Sequence, residues 1–377
     1  MYLASFGSIQ QDLNTTASLV QLTLSMFFLG AAVGQLVIGP LSDRFGRRPL
    51  LLGFLTVYAA AGIALVFTPS IEIFVALRLL LGFTGAAGIV LARAIAVDLS
   101  EGETAVKALS LIAMMGGLGP LLAPPIGALT HELWGWRGTL ATLAGISVLI
   151  LMLAWRFIPE SLPPELRRSG GLLAVYAPLG SIIRTPRYMF FALAFVFGFS
   201  AMIAYISGSP FVGLNVIGMS PVTYAFGFAV GGAALISANI VNANLAPRRG
   251  PARMLSFGIA LLLTGTAALL LLSLTSTLAV WSFITCAAIL TAGAGFTMSN
   301  ASALALAEAM QARGMGAAVL GSMQFAVGGL LAPVVGAWGE HTAVPMGAVA
   351  LSSAVIAALC ALLAARSPRR SPDSASR

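Results

Sequence analysis

The residues in this chain best placed to do chemistry are charged groups gathered in one short run, Gly39-Pro40-Leu41-Ser42-Asp43-Arg44-Phe45-Gly46-Arg47-Arg48-Pro49. Gly39, Pro40 and Gly46 suit a tight passage between two helices, and Asp43 with Arg44, Arg47 and Arg48 can form charge-assisted contacts between helix ends. That is the chemistry of a breakable clasp. Retention of positive charge at a membrane surface would account for the arginines, but not for Asp43 or the glycines. A second charge, Arg78, lies about seven residues, roughly 10 Å, inside an apolar run. Burying it costs about 2.5 to 3.5 kcal/mol on insertion scales, so an interior-facing functional arginine is expected, with snorkelling to the headgroups as the alternative. Arg93 and Asp98, farther along the same run, could extend the Asp43 network or form a solvated pair at the helix end.

A third group is conformational. Gly116, Gly119, Ala123 and Gly127 fall on one helical face with Pro120, Pro124 and Pro125 among them, and Gly328, Ala332 and Gly336 with Pro333 form a similar set. Small faces allow close helix approach, and the prolines free carbonyls and bend the helix. The uncharged set Tyr2, Gln35, Met114, Tyr205, Asn239, Asn300 and Gln324 could line a substrate cavity, although each could equally pack or bond between helices. No cluster of His, Asp, Glu or Cys shares one membrane depth, so a membrane enzyme is not expected. Cys286 and Cys360 read as packing residues, with no metal site and no disulfide.

These residues need a membrane scaffold. Of 377 residues, 59% are hydrophobic and only 8% charged, far from the roughly 25% charged composition of soluble domains. Apolar runs of spanning length lie near Leu19–Leu41, Pro49–Phe67, Ile71–Val97, Ala105–Thr130, Gly138–Phe157, Tyr188–Val212, Val222–Leu245, Met254–Leu274, Leu278–Ala307, Met315–Trp338 and Val344–Leu363. A stub, Met1–Ile9, precedes these eleven and is too short to span. Seventeen of the 20 basic residues fall on one set of alternate loops and the tail, which places those loops and the C-terminus in the cytoplasm. The scattered arginines form no aromatic-interleaved patch, so nucleic acid is not an expected partner.

The segment Leu121-Leu122-Ala123-Pro124-Pro125-Ile126-Gly127-Ala128 recurs as Leu330-Leu331-Ala332-Pro333-Val334-Val335-Gly336-Ala337, an offset of 209, and Tyr2–Ser5 echoes Tyr205–Gly208 at 203. Two parallel six-helix halves follow. Their expected bounds are 1–158 and 188–366, joined by a cytoplasmic linker at 159–187 and followed by a disordered tail at 367–377. Against the second half, the first helix is short by about 15 residues, judged by span length.

The clasp run resembles the signature G-x-L-(S/A)-D-R-x-G-R-R of the major facilitator superfamily, matched at every specified position. Around Arg78 the sequence is similar to the family's R-x-x-Q-G, with Leu81 in place of glutamine, and Gly116 to Gly127 resembles its antiporter motif. With Met1-Tyr2-Leu3, Gln21 to Ser25, Leu91 to Ala94, Ala204 to Val212 and Gln324-Phe325, the chain resembles the Bcr/CflA drug:proton antiporters over nearly its whole length. The resemblance implies an all-α major facilitator fold, an alternately opening cavity, and export of small amphipathic drugs, chloramphenicol- or bicyclomycin-like, against protons. It implies no cofactor beyond the proton, a monomer in the lipid bilayer, and a bacterial inner-membrane location. The alternatives are proton-coupled export of an amino acid, nucleoside or sugar, and a truncated product that does not transport. In the family an acidic residue usually precedes the M-Y-L-P segment and is a candidate for proton coupling; here that segment begins at Met1, and Ala4 replaces the proline.

Overall fold

The computed structural model describes residues 1–100, 102–167, 176–177, 179–309, 313–336 and 342–367. All the regular structure in them is helical. A 3-10 turn, Tyr2–Ser5, leads into α1 (Phe6–Asp12), so the expected stub continues three residues beyond Ile9. There follow α2 (Ala17–Phe45), α3 (Arg47–Val66), α4 (Ile71–Asp98), α5 (Gly102–Phe157), α6 (Leu179–Ile183) and α7 (Pro186–Phe211). After a π-helical turn at Val212–Val216 come α8 (Pro221–Arg249), α9 (Pro251–Leu274), α10 (Val280–Glu308), α11 (Arg313–Gly336) and α12 (Val344–Arg366).

Local chemistry sets these ends. Thr16 caps α2 by accepting the Leu19 amide, and Ser220 caps α8 through the Thr223 amide. Proline opens α7, α8, α9 and α12 in the first turn, where its missing N–H costs nothing. Gly46, at a φ of +97°, separates α2 from α3, and Gly135, at +65°, breaks the long α5. Left-handed backbone favours glycine at both positions.

Ten helices among the described residues are long and apolar enough to cross a membrane, and the chain is a multi-pass membrane protein. Eleven were expected from sequence. The difference lies in Ala105–Thr130, which is helical within α5 but whose side chains are mostly outside the described set. The short helix α6 was not expected at all, because the proline- and glycine-rich stretch around it reads as linker.

The bundle is built by close helix approach at small residues. A Cβ on Gly30 of α2 would stand 2.7 Å from the Phe83 nitrogen of α4, and one on Gly34 would stand 2.8 Å from the Ala86 Cβ. On α9 and α10, a Cβ on Gly265 would lie 2.7 Å from the Leu290 nitrogen. Without a hydrophobic force between helices in lipid, such approach and its van der Waals contact hold the bundle. The helices α2, α3, α4 and α5 pack on one another, as do α7 to α12, and the two sets meet through α2 with α11 and α5 with α8. Leu149, Ile150, Leu153, Trp155 and Phe157 of α5 lie exposed, as a lipid-facing surface requires.

Candidate transport site and its clasp

The run 39–49 forms the end of α2, the Gly46 turn and the start of α3, and Arg47 is its hub. The guanidinium reaches Asp43 at 2.6 Å and Asp98, the last residue of α4, at 3.0 Å. It also donates to the Ser42 hydroxyl, whose own proton goes to the Gly39 carbonyl. Glu160 completes the group by accepting the Arg47 backbone amide at 3.0 Å, which places a carboxylate at the positive N-terminus of α3. Ser161 donates to Asp98 at 2.9 Å, and Arg167 pairs with Glu160 at 3.5 Å. A Cβ on Gly46 would stand 2.6 Å from Glu160 Oε2, so this turn needs both the left-handed backbone and the empty space.

The sequence reading is corrected in three places. Arg44 takes no part in the acid network and stacks over Phe45 at 5.4 Å. Arg48 turns to the carbonyl of Trp155 at the end of α5, a cation at a helix C-terminus. Arg93 is exposed and forms no ion pair among the described residues. Glu160, Ser161 and Arg167 were missed: Pro-Glu-Ser-Leu-Pro-Pro-Glu carries a linker's composition, and only the fold shows it returning to the clasp.

Arg78, in the third turn of α4, is 8% exposed, so it does not snorkel. Its guanidinium carbon lies 4.3 Å from the Tyr2 ring centroid and 4.5 Å from that of Phe27, with Nε unpartnered. A desolvated cation over an aromatic face gains about 2 kcal/mol. That does not replace a carboxylate, and no acid pairs with Arg78 among the described residues. Tyr2 is held by the Thr23 hydroxyl at 3.0 Å and by the Phe74 ring. Leu81 is buried and apolar where the family motif has glutamine.

The remaining cavity candidates divide. Gln35 is buried against Gly321 of α11. Gln324 is half-buried and bonds no described side chain. Tyr205 is buried between the rings of Phe228 and Phe283, and Asn300 bonds Asn242 at 2.7 Å, so these two knit helices together. Asn239 is exposed and accepts from Ser299 at 2.9 Å. Among the flexible set, Gly127 packs on the Met1 backbone and Gly328 on the Phe199 ring, Gly119 is open, and Pro333 lies within α11. Met114, Gly116, Pro120, Pro124 and Gly336 fall outside the residues whose side chains are described. Sequence reading also missed the contact of Phe28 with Phe199 and Phe325, at 6.5 and 5.8 Å, which joins α2, α7 and α11. Three phenylalanines so far apart in the chain carry no local signal.

At the opposite face, Asp12 accepts from the Trp136 indole and from Arg137, both at 2.8 Å. These contacts hold its carboxyl below the ordinary aspartate value, the indole first and the arginine second. His131 bonds Ser5 and Ser8 through its two ring nitrogens.

Residues 1–333 match the pattern described as Major Facilitator Superfamily. The chain belongs to that superfamily. This transporter is 33% identical over 365 residues to an uncharacterised major facilitator protein of Bacillus subtilis, covering 95% of this chain and 89% of that one. It is 30% identical to a bicyclomycin resistance protein homolog of Haemophilus influenzae, covering 92% and 87% of the two chains. A chloramphenicol resistance protein of Pseudomonas aeruginosa is 30% identical, covering 75% and 67%. Among solved structures, the Escherichia coli xylose transporter in a partially occluded inward-open state superposes with a TM-score of 0.72 at 16% identity, covering 97% and 92%, a likeness of fold. The major facilitator chain is thus a transporter that resembles the Bcr/CflA drug:proton antiporters, and not an enzyme.

Proposed function

We propose that this transporter exports small amphipathic drugs of the chloramphenicol and bicyclomycin kind in exchange for protons, by alternating access of two six-helix halves. The observation that carries the reading is the relatedness to two resistance proteins over most of the chain. The site is consistent with it: a buried arginine between aromatic faces offers cation and ring contacts to a polar, partly aromatic molecule, beside helices lined by small residues. In this reading Ala105–Thr130 is an eleventh span, residues 1–158 and 188–366 are the halves, and 159–187 the linker. The face with Arg44, Arg47, Arg48, Arg248, Arg249 and the C-terminus is cytoplasmic. Arg47 and its acids hold that face closed in one state and release it in the other.

Expression in a pump-deficient bacterium should raise resistance to chloramphenicol, and a proton uncoupler should abolish the gain. Arg78→Ala should remove most of it at equal membrane expression. Unchanged drug accumulation with well-expressed protein would sink the drug assignment. Competition by amino acids, nucleosides or sugars would redirect it to metabolite export.

A further inference from the structure

Proline inside a helix removes the N–H that would bind the carbonyl four residues earlier. In lipid that freed carbonyl must find another donor or bear a cost. Pro210 of α7 frees the Ile206 carbonyl, and the neighbouring Ser209 hydroxyl takes it at 3.3 Å. Pro247 of α8 frees the carbonyl of Ala243, which lies on an exposed turn near the helix end. Pro40 of α2 is different. It frees the Leu36 carbonyl at a part-buried position, and the donor that meets it is the hydroxyl of Tyr176, 140 residues away, at 3.0 Å.

The surroundings make this a junction. The Leu36 side chain packs, with Leu179, against the cluster that holds Ile182 of α6, Tyr188 of α7 and Leu320 of α11. Its neighbour Gln35 lies on Gly321 of α11. Tyr176 stands just before α6, and α6 packs on α7 and α11. One hydroxyl therefore ties the connecting segment, and through α6 the later helices, to the backbone of α2 at its proline.

We propose that Tyr176 is a positioning residue for alternating access, holding α2 to the connecting segment in the conformation seen here by donating to the carbonyl that Pro40 leaves free. A side chain can let go of a carbonyl as the halves rock, whereas a backbone amide within the helix cannot. Pro40 thus turns a permanent bond of α2 into a conditional one. The proposal rests on the alternating-access reading above, but not on the identity of the substrate.

The test uses spin labels at Leu99→Cys and Ala252→Cys, on the Arg47 face at the end of α4 and the start of α9, in full-length protein in lipid. Cys286 and Cys360 are buried and can remain. Tyr176→Phe removes the hydroxyl alone, and should shift the ratio of short to long label distances roughly three- to tenfold, the range of one net hydrogen bond. Pro40→Ala restores an amide to the Leu36 carbonyl, and in that background Tyr176→Phe should change nothing; Pro40→Ser is a second background with the same expectation. An unchanged ratio for Tyr176→Phe, or an equal shift with and without Pro40, overturns the proposal. A shift in a protein that exports no drug would leave the role of Tyr176 standing and remove the substrate assignment; drug export without the shift would do the reverse.

Discussion

The Arg47 face carries two acid–arginine groups that look alike in one dimension and differ in three. Asp98 ends α4 and Glu308 ends α10, 210 residues on, and each meets one arginine, Arg47 at 3.0 Å and Arg187 at 2.8 Å. Arg47 opens the helix after the Gly46 turn and gathers Asp43, Asp98 and, through its amide, Glu160. Arg187 opens α7, has Glu308 as its single carboxylate among the described residues, lies over Phe191 and donates to the Ser367 carbonyl at the end of α12. The turn that corresponds to Gly46, at Gly250, has the same left-handed backbone, but Arg248, Arg249 and Arg253 beside it are exposed and pair with no acid among the described residues. A hub that joins a loop, a helix end and the linker can change partners, whereas a single pair that fastens α7 to α10 and α12 holds a fixed block. Under the function proposed above, the first group is the moving clasp and the second a brace.

The comparison can be broken at several strengths. The largest effect is expected from Arg47→Ala, which leaves Asp43 and Asp98 facing each other without a cation. Charge-assisted bonds are worth about 1.5 to 3 kcal/mol each where partly buried, so drug efflux should fall about tenfold or more. Near-normal efflux at equal expression would show that the hub is dispensable. Next comes Glu308→Gln, which strands Arg187. It should lower thermal stability by about 1.5 to 3 kcal/mol, a few degrees in midpoint, while leaving drug KM and the uncoupler sensitivity unchanged. A change in transport kinetics without loss of stability would make the brace a clasp. Arg248→Ala should stay within about 0.5 kcal/mol in stability and alter efflux little, since nothing pairs with it.

The smallest effect concerns the other face. Asp12 has a carboxyl depressed by Trp136 and Arg137, so its stabilising contribution is complete above the ordinary aspartate value of 3.8 and is lost as pH falls through the depressed one. Wild type should exceed Asp12→Asn slightly in thermal midpoint at neutral pH, with the gap closing below about pH 4. A gap that widens on acidification would reverse the assigned sign.

Much of this was legible in sequence, and the exceptions have physical reasons. Spans and basic loops are written in composition, because a bilayer demands about 20 apolar residues per crossing. That Asp43 would meet an arginine of its own run could be read from sequence, but the Gly46 break between α2 and α3 leaves open which one. Arg78 was recognisable as buried because a charge in an apolar run has few other uses, yet its ring partners Tyr2 and Phe27 are 76 and 51 residues away and depend on how α4 meets α2 and the N-terminal turn. Glu160 and Tyr176 were invisible for the opposite reason. They sit in a connecting segment whose composition says flexible, and only its return to Gly46 and Leu36 gives them partners. Arg44 and Arg48 show the converse limit, since motif membership does not fix which arginine meets the acid.

The difference between clasp and brace is most directly tested by the distance between labels at Leu99→Cys and Ala252→Cys, measured in otherwise wild-type protein, in Arg47→Ala and in Arg187→Ala. The account predicts that Arg47→Ala redistributes the short and long populations about tenfold, as loss of charge-assisted bonds implies, while Arg187→Ala leaves their ratio unchanged. Equal redistribution in both variants, or a shift confined to Arg187→Ala, would contradict it.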